Sequence, residues 1–300
     1  MGIKVTNDLL FKKVLSSEEN KDITQGFIND FCGLDVACED IHIMNPYSID
    51  LYKSALGDEK QTLRLIERDI SVELSNLNVI VELQMYRDIH FIARTLHYTF
   101  KRFNENYAVP GKMTMDKAGD FDKYSSLKPI YSVNIVSEKL FQNDNDAVRE
   151  FSFYDKEHDV GLDEDWIKLV FLELGKSEFE SKNQKQQYWY EFFKTGKAHK
   201  DAPAYIQRAE NVTDFANMSK GERDVISWIE HVDEKIRSTL ATAMEDGYNE
   251  GIEQGIEQGM KDERQIWQAV VADKDVLLKD KDAKIAELEA LLNAKADSAD

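Results

Sequence analysis

Cysteine is nearly missing. Cys32 and Cys38 are the only two in 300 residues. They have neither CxxC spacing nor enough partners for a disulfide framework, so they read as packed free thiols in a reducing compartment. Four prolines and fourteen glycines are too few for a collagen-like or low-complexity chain, and 42% apolar residues can build a core. No uninterrupted apolar stretch approaches the roughly 18 residues that span a bilayer, and Asn7–Lys13 contains no signal-peptide apolar region. The expectation is a cytoplasmic chain with no membrane attachment. The patterns GxxxxGK[ST], GxGxxG and GxSxG are also lacking, which removes the usual support for nucleotide, dinucleotide and serine-hydrolase chemistry.

Basic residues are the other shortage. Against 57 Asp and Glu there are 38 Lys and Arg, a net charge of −19. Such a balance opposes nonspecific nucleic-acid binding, which depends on cations neutralising phosphates. Its distribution softens that conclusion: residues 241–300 hold 15 acids and 7 bases, leaving 42 and 31 in the first 240. An acidic average still permits a local basic strip and an acidic metal site, with weak, salt-sensitive binding.

What is present reads as a layered α/β domain, residues 1–240, followed by a different kind of segment, 241–300. Residues 8–32 carry helical spacing at Phe11, Val14 and Leu15, then at Ile23, Phe27 and Phe31. Ile41 and Ile43 alternate with polar neighbours and suggest a first strand ending at Pro46. From 62 to 74, Ile66, Ile70, Val72 and Leu74 share one parity while Glu67, Asp69, Ser71 and Glu73 share the other, predicting a half-buried strand with an acidic face. After a turn at Asn76–Asn78, the run Val79–Gln84 completes a hairpin. Residues 86–105 return to a helical period, with Ile89, Ala93, Leu96, Phe100 and Phe103 as the inward stripe. Pro129–Val136 and Ile167–Leu174 read as buried strands, and a helical extension begins near 183, with Tyr188, Phe192 and Trp228 as anchors.

In the final segment Gly247, Gly251, Gly255 and Gly259 recur every four residues beside Tyr248, Ile252, Ile256 and Met260. Each interior glycine costs a helix about 1 kcal/mol, so this stretch needs close packing on a partner to be stable. Val271, Leu278, Ile285 and Leu292 follow at spacings of seven, with Trp267 and Leu288 at d but Lys274 and Lys281 there too. A weak coiled coil, and hence a homo-oligomer, competes with a solvated charged helix.

The chemistry concentrates around Asp69 and Glu82-Leu83-Gln84. Glu82 and Gln84 share a strand face, and a cooperating hairpin register sets Asp69 opposite them. Asp69, Glu82 and the Leu83 carbonyl are then a hard-oxygen set of the kind Mg2+ or Mn2+ takes, with waters and phosphate oxygens completing the shell. Solvent-facing strand carboxylates are the alternative. On the next helix Arg87, Arg94 and Lys101 repeat at seven with Tyr98 one turn after Arg94. They either meet phosphate or form a solvated face on which Arg94 pairs with Glu82 or Glu73. His90 and His97 lack a third ligand for zinc, and the run Lys194, Lys197, His199, Lys200 suits a helix C-terminus better than DNA.

Arg68-Asp69-Ile70, Val79–Gln84 and Phe91–Tyr98, with Asp8–Leu15 upstream and Leu127–Val133 and Leu172–Lys176 downstream, resemble in colinear order the PD-(D/E)xK nuclease family transposases, which include the recombination-promoting nucleases. The similarity spans about residues 6–235. It implies an αβββαβ restriction-endonuclease-like core, a mixed sheet flanked by helices, with the helical tail appended. It also implies Mg2+-dependent DNA endonuclease activity tied to recombination, transposition or defence against mobile DNA. Asp69 and Glu82 take the metal-ligand positions and Gln84 stands where the namesake motif has Lys. Arg68 replaces the usual Pro, and Asp8 is either a further metal-directed carboxylate or a helix N-cap. Arg94 and Tyr98, with Arg87 and Lys101, are the phosphate-contacting set. A glutamine cannot supply charge or take a proton well. That leaves an alternative: a catalytically weak nuclease fold kept as a DNA-binding or self-assembling scaffold.

Overall fold

The computed structural model describes residues 5–66, 69–142, 144–162, 165–177, 179 and 183–296. Arg68 and Glu67 lie outside the described residues, as do the side chains of Leu288 and Leu292. In chain order the elements are α1 (Asp8–Leu15), α2 (Lys21–Cys32), β1 (His42–Ile43), α3 (Ile49–Ser54), α4 (Glu59–Ile66), β2 (Ile70–Glu73) and β3 (Asn78–Gln84). Next come α5 (Phe91–Asn104), β4 (Thr114–Met115), β5 (Phe121–Asp122), β6 (Ile130–Val136), β7 (Val148–Phe151), β8 (Tyr154–Asp155), β9 (Val160–Gly161) and β10 (Ile167–Glu173). The chain then forms α6 (Gln184–Thr195), α7 (Ala204–Thr213) and α8 (Lys220–Ala296). Two compact units divide between Val232 and Asp233.

The first unit is a six-strand mixed sheet in the order β1-β2-β3-β6-β10-β7, flanked by helices. The β-branched runs of β3, β6 and β10 form its parallel centre, which requires long crossovers; α5 supplies the one between β3 and β6. β2 pairs antiparallel with β3, β1 with β2, and β7 with β10. One sheet face carries Val79, Val81, Val133, Ile135, Val170 and Leu172, buried with Phe11, Phe27, Phe31, Trp189 and Phe192. The other face packs Ile80, Ile130, Val136 and Phe171 against Phe91. A third cluster joins Leu9 and Leu10 to Tyr52 and to Val225, Ile226 and Ile229 of α8.

Four expectations need correction. Residues 59–66 are helical, so β2 begins only at Ile70; the Glu-Lys-Gln-Thr-Leu-Arg-Leu run favours helix, and the Thr62 hydroxyl donates to the Ala55 carbonyl at 3.1 Å. The first strand shrinks to two residues, preceded by a 3₁₀ turn at Cys38–Asp40. On α5 the buried residues are Phe91, Thr95 and Thr99; of the expected stripe Leu96 and Phe103 pack on the sheet cluster, while Phe100 is 42% exposed and Ile89, ahead of the helix, 81%. The Thr99 hydroxyl bonds back to the Thr95 carbonyl at 2.7 Å, so its own helix satisfies it on the buried side. The N-cap of α1 is Asn7, whose Oδ1 accepts the Leu9 N–H at 3.1 Å, and Asp8 is free for other work.

The second unit, Asp233–Asp300, is described by itself. Its residues 233–296 are helical through all four periodic glycines. Met244, Tyr248, Ile252, Ile256, Met260, Trp267, Val271, Leu278 and Ile285 are exposed along it.

Candidate active site

The β2–β3 register pairs Ile70 with Val81 and Ser71 with Ile80. Asp69 and Glu82 are the residues next beyond the Ile70–Val81 pair on the two chains. Glu82 shares its strand face with Ile80, which packs against Phe91 of α5. Their charges interact: burial first, and then the Asp69 carboxylate, push Glu82 up to about 7 against the pull of Arg94. Burial likewise raises Asp69, opposed by Lys12 and then Arg94.

An asparagine from a distant loop holds the Asp69 main chain, and a buried lysine pairs with Asp8. The Asn45 amide donates to the Asp69 carbonyl, and its Oδ1 accepts the Ser71 N–H at 3.0 Å, bracketing the residue from both sides. Lys12, on α1, is 7% exposed; its Nζ lies 3.1 Å from Asp8 and donates to the Leu65 carbonyl of α4. Tyr52 donates to Asp8 Oδ2 at 3.0 Å. Burial lifts the Asp8 carboxyl to about 6 although Lys12 and Tyr52 hold it down. None of Lys12, Asn45 and Tyr52 was expected here. Lys12 had a signal in the sequence, four residues after Asp8 on one helix face; Asn45 had none, being 24 residues from the group it holds.

Arg94 closes the other side. Its Nη2 donates to Glu82 Oε1 at 2.8 Å and to Gln84 Oε1 at 2.5 Å, while Nη1 lies 3.0 Å from Asp88. Of the two carboxylates considered for it, Arg94 pairs with Glu82; Glu73 is held instead by Lys112 at 2.7 Å and Lys128 at 3.1 Å. Gln84 has both ends of its amide engaged, since Nε2 donates to the Tyr86 carbonyl at 2.7 Å. Tyr98 is 44% exposed with its ring against His97, and Lys101 borders an open depression with His97, Phe100, Asn104 and Glu105. Arg87 precedes α5, so the seven-residue face argument fails for it; it lines a small pocket with Gln84, Asp88, Phe91 and Glu138.

Among the described residues no group of three or more His, Cys, Asp or Glu side chains forms a metal cage. The oxygen set is smaller: the Asp69 and Glu82 carboxylates with the Leu83 main-chain carbonyl between Glu82 and Gln84. Two carboxylates suffice for Mg2+, which keeps several waters and substrate oxygens. This donor set therefore fits a hard divalent cation.

No curated protein and no solved structure matches the chain. The family model described as PD-(D/E)XK nuclease family transposase matches residues 5–243, about four-fifths of the sequence. The match takes in the mixed sheet, the β2–β3 hairpin and the crossover helix α5, and the chain belongs to the PD-(D/E)XK nuclease family transposases.

Proposed function

We propose that the protein is a Mg2+- or Mn2+-dependent DNA endonuclease that hydrolyses phosphodiester bonds in recombination, transposition or defence against mobile DNA. The observation that carries this reading is the pair of raised carboxyls just beyond the last rung of the β2–β3 ladder, Ile70 with Val81, where the Asp69 charge helps to raise Glu82. Like charges that act on one another in a part-buried site are eased by a cation. Asp69, Glu82 and the Leu83 carbonyl would hold it, with Asp8 as a further oxygen. A divalent ion there makes water more acidic and offsets charge on the phosphoryl oxygens. Gln84 orients the attacking water by hydrogen bonding. Arg94, with Tyr98, Arg87 and Lys101, steadies the phosphate. In the ligand-free arrangement Arg94 occupies Glu82 and Gln84, so a phosphate that draws its guanidinium away also frees the Gln84 carbonyl. The reading carries DNA as partner and a cytoplasmic location, where Cys32 and Cys38 stay reduced.

The test is plasmid cleavage in Mg2+ by the wild type, Asp69→Ala and Glu82→Ala. Calorimetric titration of Mn2+ should show binding that Glu82→Ala loses. Equal nicking by all three proteins would point to a contaminant. DNA binding without cleavage or metal uptake would favour the scaffold alternative.

For the second unit we propose self-association of the helix. Trp267, Val271, Leu278 and Ile285, spaced by four, seven and seven, are all exposed and share a coiled-coil seam. Light scattering should give the full chain as a multiple of its own protomer mass and a 1–240 truncation as a monomer, and the same number of protomers in both would remove the tail's role.

A further inference from the structure

The insert between α5 and β6, residues 105–129, builds a two-stranded sheet of its own, β4–β5, in which exposed Met115 pairs with exposed Phe121. Tyr107 and Tyr124, 44% and 69% exposed, meet edge to face with ring centroids 5.3 Å apart. Four large apolar side chains open to water within one insert mark an interaction surface. The main chain sets the two rings. Ala108 takes φ +55°, a left-handed conformation uncommon outside glycine, and its N–H donates to the Lys123 carbonyl at 3.2 Å, tying the residue after Tyr107 to the residue before Tyr124. Ser126 Oγ donates to the Asn106 carbonyl at 2.7 Å and closes the same loop.

Lys117 and Lys123 are exposed and enter no ion pair among the described residues. Against them stand Asp116, Asp120 and Asp122, of which the first accepts the Ala118 and Asp120 N–H groups and the last the Tyr124 N–H, all at 2.9 Å. Charge is nearly balanced, so attraction for phosphate is modest and stacking must supply most of the affinity. A base offers its face to a ring only when it is unpaired and unstacked.

Two footings place these rings near the carboxylates. Arg94 reaches Glu82 at 2.8 Å, and exposed Lys101 stands about 10 Å further along α5, with Tyr107 just past the helix end. At the other edge of the insert Lys112 and Lys128 pair with Glu73 at 2.7 and 3.1 Å, about 10 Å along β2 from Ile70. That distance is about three nucleotide steps of a strand. Resting on the nuclease reading above, we propose that Tyr107 and Tyr124, with Lys117 and Lys123, form a stacking platform for unpaired nucleotides of a DNA strand that continues from the carboxylate site along α5. The preferred substrate then carries a single-stranded segment about three nucleotides from the scissile bond.

Fluorescence anisotropy in EDTA, where no metal-dependent cleavage consumes the probe, tests this. The wild type should bind a labelled duplex with a tail of about eight unpaired nucleotides roughly tenfold more tightly than the same duplex with blunt ends. Tyr124→Ala should remove most of that preference, the scale of one lost base–ring stack, and Tyr124→Phe should keep it because a phenyl ring also stacks. Tyr154→Ala, which removes an exposed ring on the β8–β9 hairpin, is the control and should retain the preference. Lys123→Ala should reduce the slope of log affinity against log salt by about 0.7, one single-strand phosphate contact. Equal binding of tailed and blunt duplexes, a preference that survives Tyr107→Ala and Tyr124→Ala together, or an equal loss in Tyr154→Ala overturns the platform. A lower oligomer mass of Tyr124→Ala in light scattering assigns the patch to a second copy of the chain and overturns it as well. The nuclease reading falls separately: a wild type that prefers the tail in EDTA yet nicks no plasmid in Mg2+ keeps the platform and loses the endonuclease.

Discussion

Asp69, just ahead of β2, and Glu73, its last residue, stand four residues apart, yet their carboxyls are driven in opposite directions. Hydrogen bonds from Lys112 and then Lys128 hold Glu73 down to about 2, while burial holds Asp69 above the usual carboxylate range. Glu73 has two ammonium groups at 2.7 and 3.1 Å, whereas the Asp69 charge bears on a second carboxylate, Glu82. One end of β2 is a completed ion-pair cluster. At the other, two carboxyls stay raised although the Arg94 guanidinium lies 2.8 Å from Glu82, and the difference marks which end is built for a ligand.

Breaking the site end should have the largest effect. Asp69→Asn or Glu82→Gln should cut DNA cleavage by more than about 100-fold, beyond what a lost outer-shell partner costs. Glu73→Gln should leave cleavage within about twofold. Turnover of a plasmid substrate by the three variants side by side decides the comparison, and an equal loss in Glu73→Gln would erase it.

The pH dependence of stability sharpens the same contrast, because the two ends carry opposite signs. Glu82 has a raised carboxyl, so the folded chain binds more protons than the unfolded one between about 4.5 and 7. Its contribution is present in full below 4.5 and is lost as pH rises through about 7, by an amount on the order of 3 kcal/mol. Glu73 is depressed, so its contribution is present above 4.5 and is lost as pH falls towards about 2. Thermal melts from pH 3 to 8 should show the decline above pH 5 flatten in Glu82→Gln, and the acid-side loss shrink in Glu73→Gln. Unchanged slopes in both would mean that neither carboxyl is shifted.

Asn45→Ala is the next smaller perturbation. It removes two hydrogen bonds around Asp69 and should cost about 1–2 kcal/mol of stability, lowering the thermal midpoint by several degrees. If the bracket also aims Asp69, cleavage should drop about tenfold at temperatures well below the midpoint. A stability loss with an unaltered rate would limit Asn45 to the fold.

Much of this architecture was legible in the chain. The runs 78–84, 130–136 and 167–173 announce strands by their β-branched density, and the hairpin turn at 76–78 limits which register can place Asp69 beside Glu82. The arrangement of α5 was not legible, because the hydrophobic period assumes an apolar partner surface. Here Leu96 and Phe103 do pack on the sheet, but the buried positions of α5 are Phe91, Thr95 and Thr99, a mixed face that the period does not pick out. Asn45 and the Lys12–Leu65 contact escaped for another reason. The partners lie 24 and 53 residues away, and no local spacing encodes contacts that only the packing of the chain after β1 beside β2, and of α1 beside α4, creates.

The tail offers the mildest change and the finest test of association. A Cβ added at Gly247, Gly251, Gly255 or Gly259 meets no heavy atom within 4 Å in the single chain. Alanine at Gly251 should therefore stabilise the helix by about 1 kcal/mol through propensity alone. If copies meet through the apolar residues Trp267, Val271, Leu278 and Ile285, Gly251→Ala leaves the oligomer mass unchanged and raises helicity. If they meet through the glycine stripe, the added methyl keeps the backbones apart, and light scattering records a lower mass despite the more helical chain. One substitution thus separates two modes of self-association that the periodicity of the sequence leaves side by side.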